Sequence, residues 1–167
     1  MKHFYVLILL FFTAFCMQAQ NKKLDRFLNK ELKKSVPLIT VNELHKMTDS
    51  VILIDARSLK EFKVSHIEGA YFVDYDTFTK EDLPEDLQIT GKKIVIYCSL
   101  GIRSEHIGEK IMALGYENVF NLKGGIFEWS NFELPLVSDK GTDTDKVHTF
   151  SKEWSSWLQK GIKIYEH

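Results

Sequence analysis

Two kinds of apolar pattern alternate along this chain. Leu24, Phe27, Leu28 and Leu32 recur at helical spacing and predict one amphipathic helix over residues 22–35, in a lead that runs from 21 to 36 before Pro37. Short apolar runs then appear at Val51–Asp55, Lys93–Tyr97 and Val119–Leu122, with a turn and a strand within residues 67–73. Runs this short and this rich in Val and Ile are what strands buried on both faces look like. Helix starts fall between them. Thr40-Val41-Asn42-Glu43 and Ser58-Leu59-Lys60-Glu61 are capping boxes, the first opening a helix to about Met47. Ser104–Leu114 reads as a longer helix closed by Gly115 in the C-cap role, and Gly125–Asn131 as a short one. Strands alternating with helices predict an α/β fold, a small parallel sheet with helices on both faces.

The chemistry concentrates after the second of these runs. Ile94-Val95-Ile96-Tyr97 delivers Cys98 into a turn, Ser99-Leu100-Gly101-Ile102-Arg103-Ser104, that opens the long helix. A cysteine there faces unpaired backbone N–H groups that favour negative charge, and the thiolate is the nucleophilic form. Arg103 adds a cation, with two roles open to it: attracting an anionic donor, or being held inward by the loop. Gly101 permits a positive φ that other residues adopt at a cost. A buried core cysteine is the commoner fate of an isolated thiol, but such a residue has no use for this glycine and arginine. From Cys98 to Arg103 the spacing is Cys-x4-Arg, one residue shorter than the Cys-x5-Arg of cysteine phosphatases. A smaller ring should hold something smaller than phosphate, and one extra sulfur on Cys98 fits.

These stretches form an ordered set with Leu53-Ile54-Asp55-Ala56-Arg57, Glu61, His66-Ile67-Glu68-Gly69-Ala70, Leu114-Gly115-Tyr116 and Leu122-Lys123-Gly124-Gly125-Ile126-Phe127-Glu128-Trp129. The set resembles a single rhodanese domain over Val51–Leu136, and residues 37–137 are taken as that domain. The resemblance implies a rhodanese-like fold and a sulfurtransferase in which Cys98 accepts a sulfane sulfur from a donor such as thiosulfate and passes it to a nucleophile, small or a protein, without a cofactor. It also implies that Asp55 and Arg57, which follow the first buried strand, lie near the active loop; a supporting ion pair is expected there, with a secondary effect on substrate binding as the alternative. His66 is expected to tie down the turn before Gly69 rather than act as a base, because an amide cradle stabilises a thiolate unaided. Two other readings share the fold: a catalytically silent binding module, and a phosphatase or arsenate reductase, which the short loop opposes.

Composition narrows the partners. The 167 residues carry 22 basic and 23 acidic side chains, so no basic excess points to nucleic acid. His3, His45, His148 and His167 lack metal-ligand spacing, and no metal site is predicted; His106 is expected to be exposed. Oligomeric state is not legible. Residues 1–20 read as a signal peptide: Lys2 and His3, an apolar run from Phe4 to Phe15, and a polar exit at Met17–Gln20. The run is shorter than the roughly 20 residues that span a bilayer. Export to a periplasm or the exterior is therefore expected, with a lipoprotein anchored through Cys16 as the alternative. Cleavage would leave Cys98 as the mature chain's one thiol. Residues 138–167 form an extension outside the resemblance: a polar linker at 141–145, an amphipathic aromatic helix with Phe150, Trp154, Trp157 and Leu158 on one stripe, Gly161 ending it, and an extended segment through Ile162, Ile164 and Tyr165. The stripe is expected to pack on the domain, with a partner-binding surface as the alternative. Should the tail reach the active face, His148 is the residue to follow.

Overall fold

The computed structural model describes residues 22–88 and 91–165. The expected leader, with Cys16, lies outside the described residues. Two compact units divide the chain, the first ending at Lys33 and the second starting at Lys34. The first contains helix α1 (residues 22–31), whose expected apolar positions Leu24 and Leu28, with Leu32 just beyond its end, are buried while Phe27 is half-buried.

In the second unit a five-stranded parallel sheet has the order β1-β5-β4-β2-β3, from β1 (Leu38–Ile39), β2 (Val51–Asp55), β3 (Tyr71–Phe72), β4 (Lys93–Tyr97) and β5 (Val119–Leu122). Helices α2 (Val41–His45), α3 (Leu59–Val64), α4 (Ile102–Ala113) and α5 (Gly125–Asn131) follow β1, β2, β4 and β5. This is the expected α/β architecture. The two-residue β1 is an addition: no apolar run announces it, and Pro37 and Ile39 attach it through their carbonyls to the Asn121 and Lys123 N–H groups.

Both capping boxes form as read. Thr40 and Ser58 accept from the N–H of Glu43 and Glu61, whose carboxylates accept in return from the cap N–H groups. Gly115, at φ 90°, takes the left-handed position after α4 and donates to the Met112 carbonyl. Alternation along β2 and β4 sends Ile52, Ile54, Ile94 and Ile96 into one core cluster with Val36, Ile107, Ile111 and Val119. Leu53, Val95 and Tyr97 point to the opposite face and are also buried.

The C-terminal extension differs from its expectation. No helix forms over the aromatic stripe. Instead β6 (Lys146–His148) pairs in parallel with β7 (Ile162–Ile164), and the chain between them contains one 3-10 turn at Trp154–Trp157. Local side chains compete with a helix here: Ser155 and Ser156 donate to the Lys152 and Glu153 carbonyls, and Trp154 N–H donates to Ser151 Oγ. Strand pairing and the Asn131 side chain, which accepts from the N–H groups of Gln159 and Lys160, fix the rest. Of the stripe, Leu158 is buried, Trp154 and Trp157 are half-buried, and Phe150 is 57% exposed. Gly161 ends no helix; at φ 98° it passes close to the Asp145 carbonyl. The extended segment after it is the expected strand, with β6 as its unannounced partner.

Candidate active site at the end of β4

From β4 the connection through α4 leads to β5 on one side, while β2 leads through α3 to β3 on the other. Open parallel sheets leave a crevice outside the carboxyl ends of their strands at such a reversal. Cys98 is the residue after β4, and Asp55 ends the neighbouring β2, in register with Tyr97.

Cys98 is 1% exposed and is a free thiol. Its Sγ accepts a hydrogen bond from the Gly101 N–H at 3.1 Å. Gly101 has φ 112°, which a side chain would oppose, and this bend aims its amide back at the sulfur. The Gly101 carbonyl accepts from Asn121 Nδ2 at 2.8 Å, while Asn121 Oδ1 accepts from Ser104 Oγ at 2.7 Å. β5 thus holds the loop and the first turn of α4 together. On its other side the loop is held by α5: Ile126 and Phe127 N–H groups donate to the Cys98 and Ser99 carbonyls. Gly125 is required there, since a Cβ would lie 2.2 Å from the Cys98 carbonyl oxygen. Ser99, Leu100 and Ser104 are buried, and Ile102 is half-buried.

Arg103 takes the inward of its two expected roles. Its Nη1 and Nη2 donate to the two oxygens of Glu61 at 2.7 Å each, and Nη2 also reaches Ser99 Oγ at 3.0 Å. Ser99 in turn donates to Glu61. Burial alone would push the Glu61 carboxyl up, but the Arg103 hydrogen bonds and charge, with Arg57 behind them, bring it down to about 2. Burial likewise opposes the charge on Arg103, yet Glu61 and the nearby Cys98 sulfur outweigh it and its pKa rises. Two parallel charge-assisted bonds of this kind fix geometry as well as charge.

A second ion pair lies behind the first. Arg57 Nε and Nη2 donate to both oxygens of Asp55 at 2.8 and 2.7 Å, and Nη2 also to the Ser65 carbonyl. Both residues are fully buried, and the Arg57 carbon Cζ stands 5.9 Å from the Tyr97 ring centroid. Asp55 and Arg57 therefore sit behind the strand ends, joining β2 to the turn after α3. His66 is stacked on Phe62 at 3.9 Å, its Nδ1 is 3.1 Å from the Phe62 carbonyl, and its backbone bridges to Val137. His106 departs from its expectation: it is half-buried, with Nδ1 3.0 Å from the Tyr75 hydroxyl.

Three participants were not singled out for this role by the sequence. Glu61 looked like a capping residue and is also the counter-charge of Arg103. Asn121 left a usable signal, a polar residue inside an apolar strand. Phe150 left none: folding brings its ring 5.5 Å from the Arg103 guanidinium carbon. His148, the tail residue to follow, holds it there, accepting the Phe150 N–H on Nδ1 at 3.1 Å.

Comparison with known proteins follows the same lines. The family model described as a rhodanese-like domain matches residues 40–132. A tRNA uridine(34) hydroxylase of Hamiltonella defensa is 37% identical over 104 residues, covering 58% of this chain and 29% of that protein. One of Erwinia tasmaniensis is 36% identical over 94 residues, 53% of this chain and 27% of its own. The chain thus spans under a third of the length of these curated relatives. Among solved structures, a rhodanese-related protein of Thermoplasma volcanium superposes with TM-score 0.53 at 23% identity, over 60% of this chain and 97% of that one. A Rhodopseudomonas palustris protein described as a possible tyrosine phosphatase gives 0.54 at 22%, over 68% and 92%. At such identities these two structures speak for the fold alone.

Proposed function

The chain belongs to the rhodanese-like domain family, and from that premise we propose that it is a sulfurtransferase carrying a persulfide on Cys98. The observation that carries the reading is the sulfur itself, seated at the sheet's reversal point and accepting the Gly101 amide at 3.1 Å. A negative sulfur there is met by a fixed donor that need not reorganise during reaction.

In the first step the Cys98 thiolate attacks the outer sulfur of a donor such as thiosulfate. A bond forms between Sγ and that sulfur, the donor's S–S bond breaks, and the electron pair departs with sulfite. The negative charge now rests on the added sulfur. In the second step a nucleophile attacks this outer sulfur, and the electron pair of the S–S bond returns to Sγ. Ser99, Leu100, Gly101 and Ile102 form the wall of the loop, Arg103 locks it through Glu61, and Ser104 anchors it to β5. Asp55, Arg57 and His66 support the loop without touching the reacting atoms. The leader-like residues 1–20 make an exported location part of the proposal.

Hydroxylation of tRNA is the activity named for the longer relatives. The near balance of 22 basic and 23 acidic side chains offers no counterpart to a phosphate backbone, so sulfur transfer is the reading preferred. Mass spectrometry tests it. Purified mature protein, which lacks Cys16, incubated with thiosulfate, polysulfide or an organic persulfide should gain the mass of one sulfur atom and lose it to cyanide as thiocyanate, and Cys98→Ser should gain none. A folded wild type with a free thiol that takes up no sulfur from any donor would overturn the enzyme reading in favour of a binding module; release of phenol from a phenyl phosphate ester would favour a phosphatase.

A further inference from the structure

Resting on the sulfurtransferase reading, we propose that Phe150 is the specificity-determining residue of this site, and that it selects organic persulfides bearing an apolar or aromatic substituent over the thiosulfate dianion. Two independent features of the molecule lead there.

The first is what the loop lacks. Between Cys98 and Ser104 the one charged side chain is Arg103, and both of its terminal nitrogens are engaged by Glu61. Its charge is balanced at contact distance before any substrate arrives, so a doubly charged donor gains little from it. Leu100 is buried and the half-buried Ile102 is uncharged, and the Ser99 hydroxyl is already committed to Glu61.

The second is what the C-terminal extension brings. The segment after β6 carries Phe150 onto the Arg103 guanidinium, and its conformation is enforced. Thr149 is fully buried and donates its N–H to the Ile164 carbonyl at 2.7 Å, Ser151 N–H turns back to the Thr149 carbonyl, and His148 accepts the Phe150 N–H. The result is a non-glycine residue at φ 61°, a conformation bulky side chains rarely adopt and one associated with functional positions. The ring packs against that of Trp154 at 5.8 Å between centroids, yet more than half of the residue's surface remains in solvent. The extension lies outside residues 40–132, so this wall belongs to the chain rather than to the matched domain.

The transfer keeps its balance with the new donor. Cys98 thiolate attacks the outer sulfur of R–S–SH, the bond from Sγ to that sulfur forms, the donor's S–S bond breaks with its electron pair leaving on R–S⁻, and the proton stays on the transferred sulfur. The apolar group R then has the Phe150 ring to rest on.

Full-length protein is tested with benzyl persulfide and with thiosulfate, following sulfur gain on Cys98 under initial-rate conditions. Wild type should show kcat/KM at least tenfold higher for benzyl persulfide. Phe150→Ala should bring that ratio towards one, mainly by raising KM for the persulfide, and Phe150→Leu should restore most of it. Thermal unfolding of each variant separates a folding defect from a binding one. The proposal is overturned if wild type prefers thiosulfate, if Phe150→Ala lowers transfer from both donors equally, or if the loss lies in kcat and Leu does not restore it. Sulfur loading that proceeds without selectivity refutes this inference alone, whereas absence of loading from every donor refutes the sulfurtransferase reading beneath it.

Discussion

Glu61 serves three groups at once. It closes the capping box of α3, receives Ser99 and neutralises Arg103, and its carboxyl titrates at about 2 instead of the ordinary 4.5. A carboxyl depressed in the folded state stabilises that state fully above its unfolded pKa and loses the contribution as pH falls towards the folded value. The window is therefore pH 4.5 down to 2. A shift of that size corresponds to about 3 kcal/mol. Denaturant unfolding at pH 6, 4 and 2.5 should show wild type losing stability through this window, while Glu61→Gln starts less stable at pH 6 and loses correspondingly less. Equal losses in both proteins would mean that another carboxylate governs acid unfolding. The capping pattern made Glu61 legible as the start of a helix. Its partner was not legible, because Arg103 lies 42 positions away and only tertiary folding chooses it.

At the scale of elements, the active loop is a sandwich of three contributions: β4 delivers the sulfur, β5 reaches in through Asn121, and α5 lays its first amides on the Cys98 and Ser99 carbonyls. The closest of these approaches depends on Gly125. Its φ of 54° and the 2.2 Å approach of a would-be Cβ to a backbone oxygen leave no flexible atom to give way. Gly125→Ala should therefore cost several kcal/mol, more than the roughly 1–2 kcal/mol of left-handed backbone strain alone, and should reduce sulfur loading of Cys98 more than tenfold in whatever fraction stays folded. Calorimetry together with the mass assay checks both. Strands β2, β4 and β5, both capping boxes, and helices α4 and α5 were readable because local pattern and tertiary packing agree there. β1 was unreadable, since two residues carry no periodicity and their pairing with β5 is wholly non-local. The tail misled for the opposite reason: a real stripe of Phe150, Trp154, Trp157 and Leu158 suggested a helix, and the serines between them, with the β6–β7 pairing, override it.

Across the whole described molecule, the segment from β6 to β7 works as a strap. It leaves the side of α3, where β6 packs, and ends against α5, where Ser130 donates to the Lys160 carbonyl and Asn131 to that of Trp157. Val147 and Leu158 are its buried anchors. Leu158→Ala should destabilise the protein by about 2–5 kcal/mol, the usual cost of truncating a buried leucine, and should loosen the Phe150 position as well; chemical denaturation and hydrogen exchange at the Thr149 amide report the two effects. An unchanged midpoint would show that the strap contributes little to the fold. Its position also bears on descent. Cys98 and its loop lie within the shared family span, whereas the ring on Arg103 hangs from an appendage beyond it. On the proposed reading, substitutions or insertions accumulating in some thirty peripheral residues would recast what the protein accepts while the reacting sulfur keeps its surroundings, so that reactivity and taste would be inherited from separate stretches of the gene.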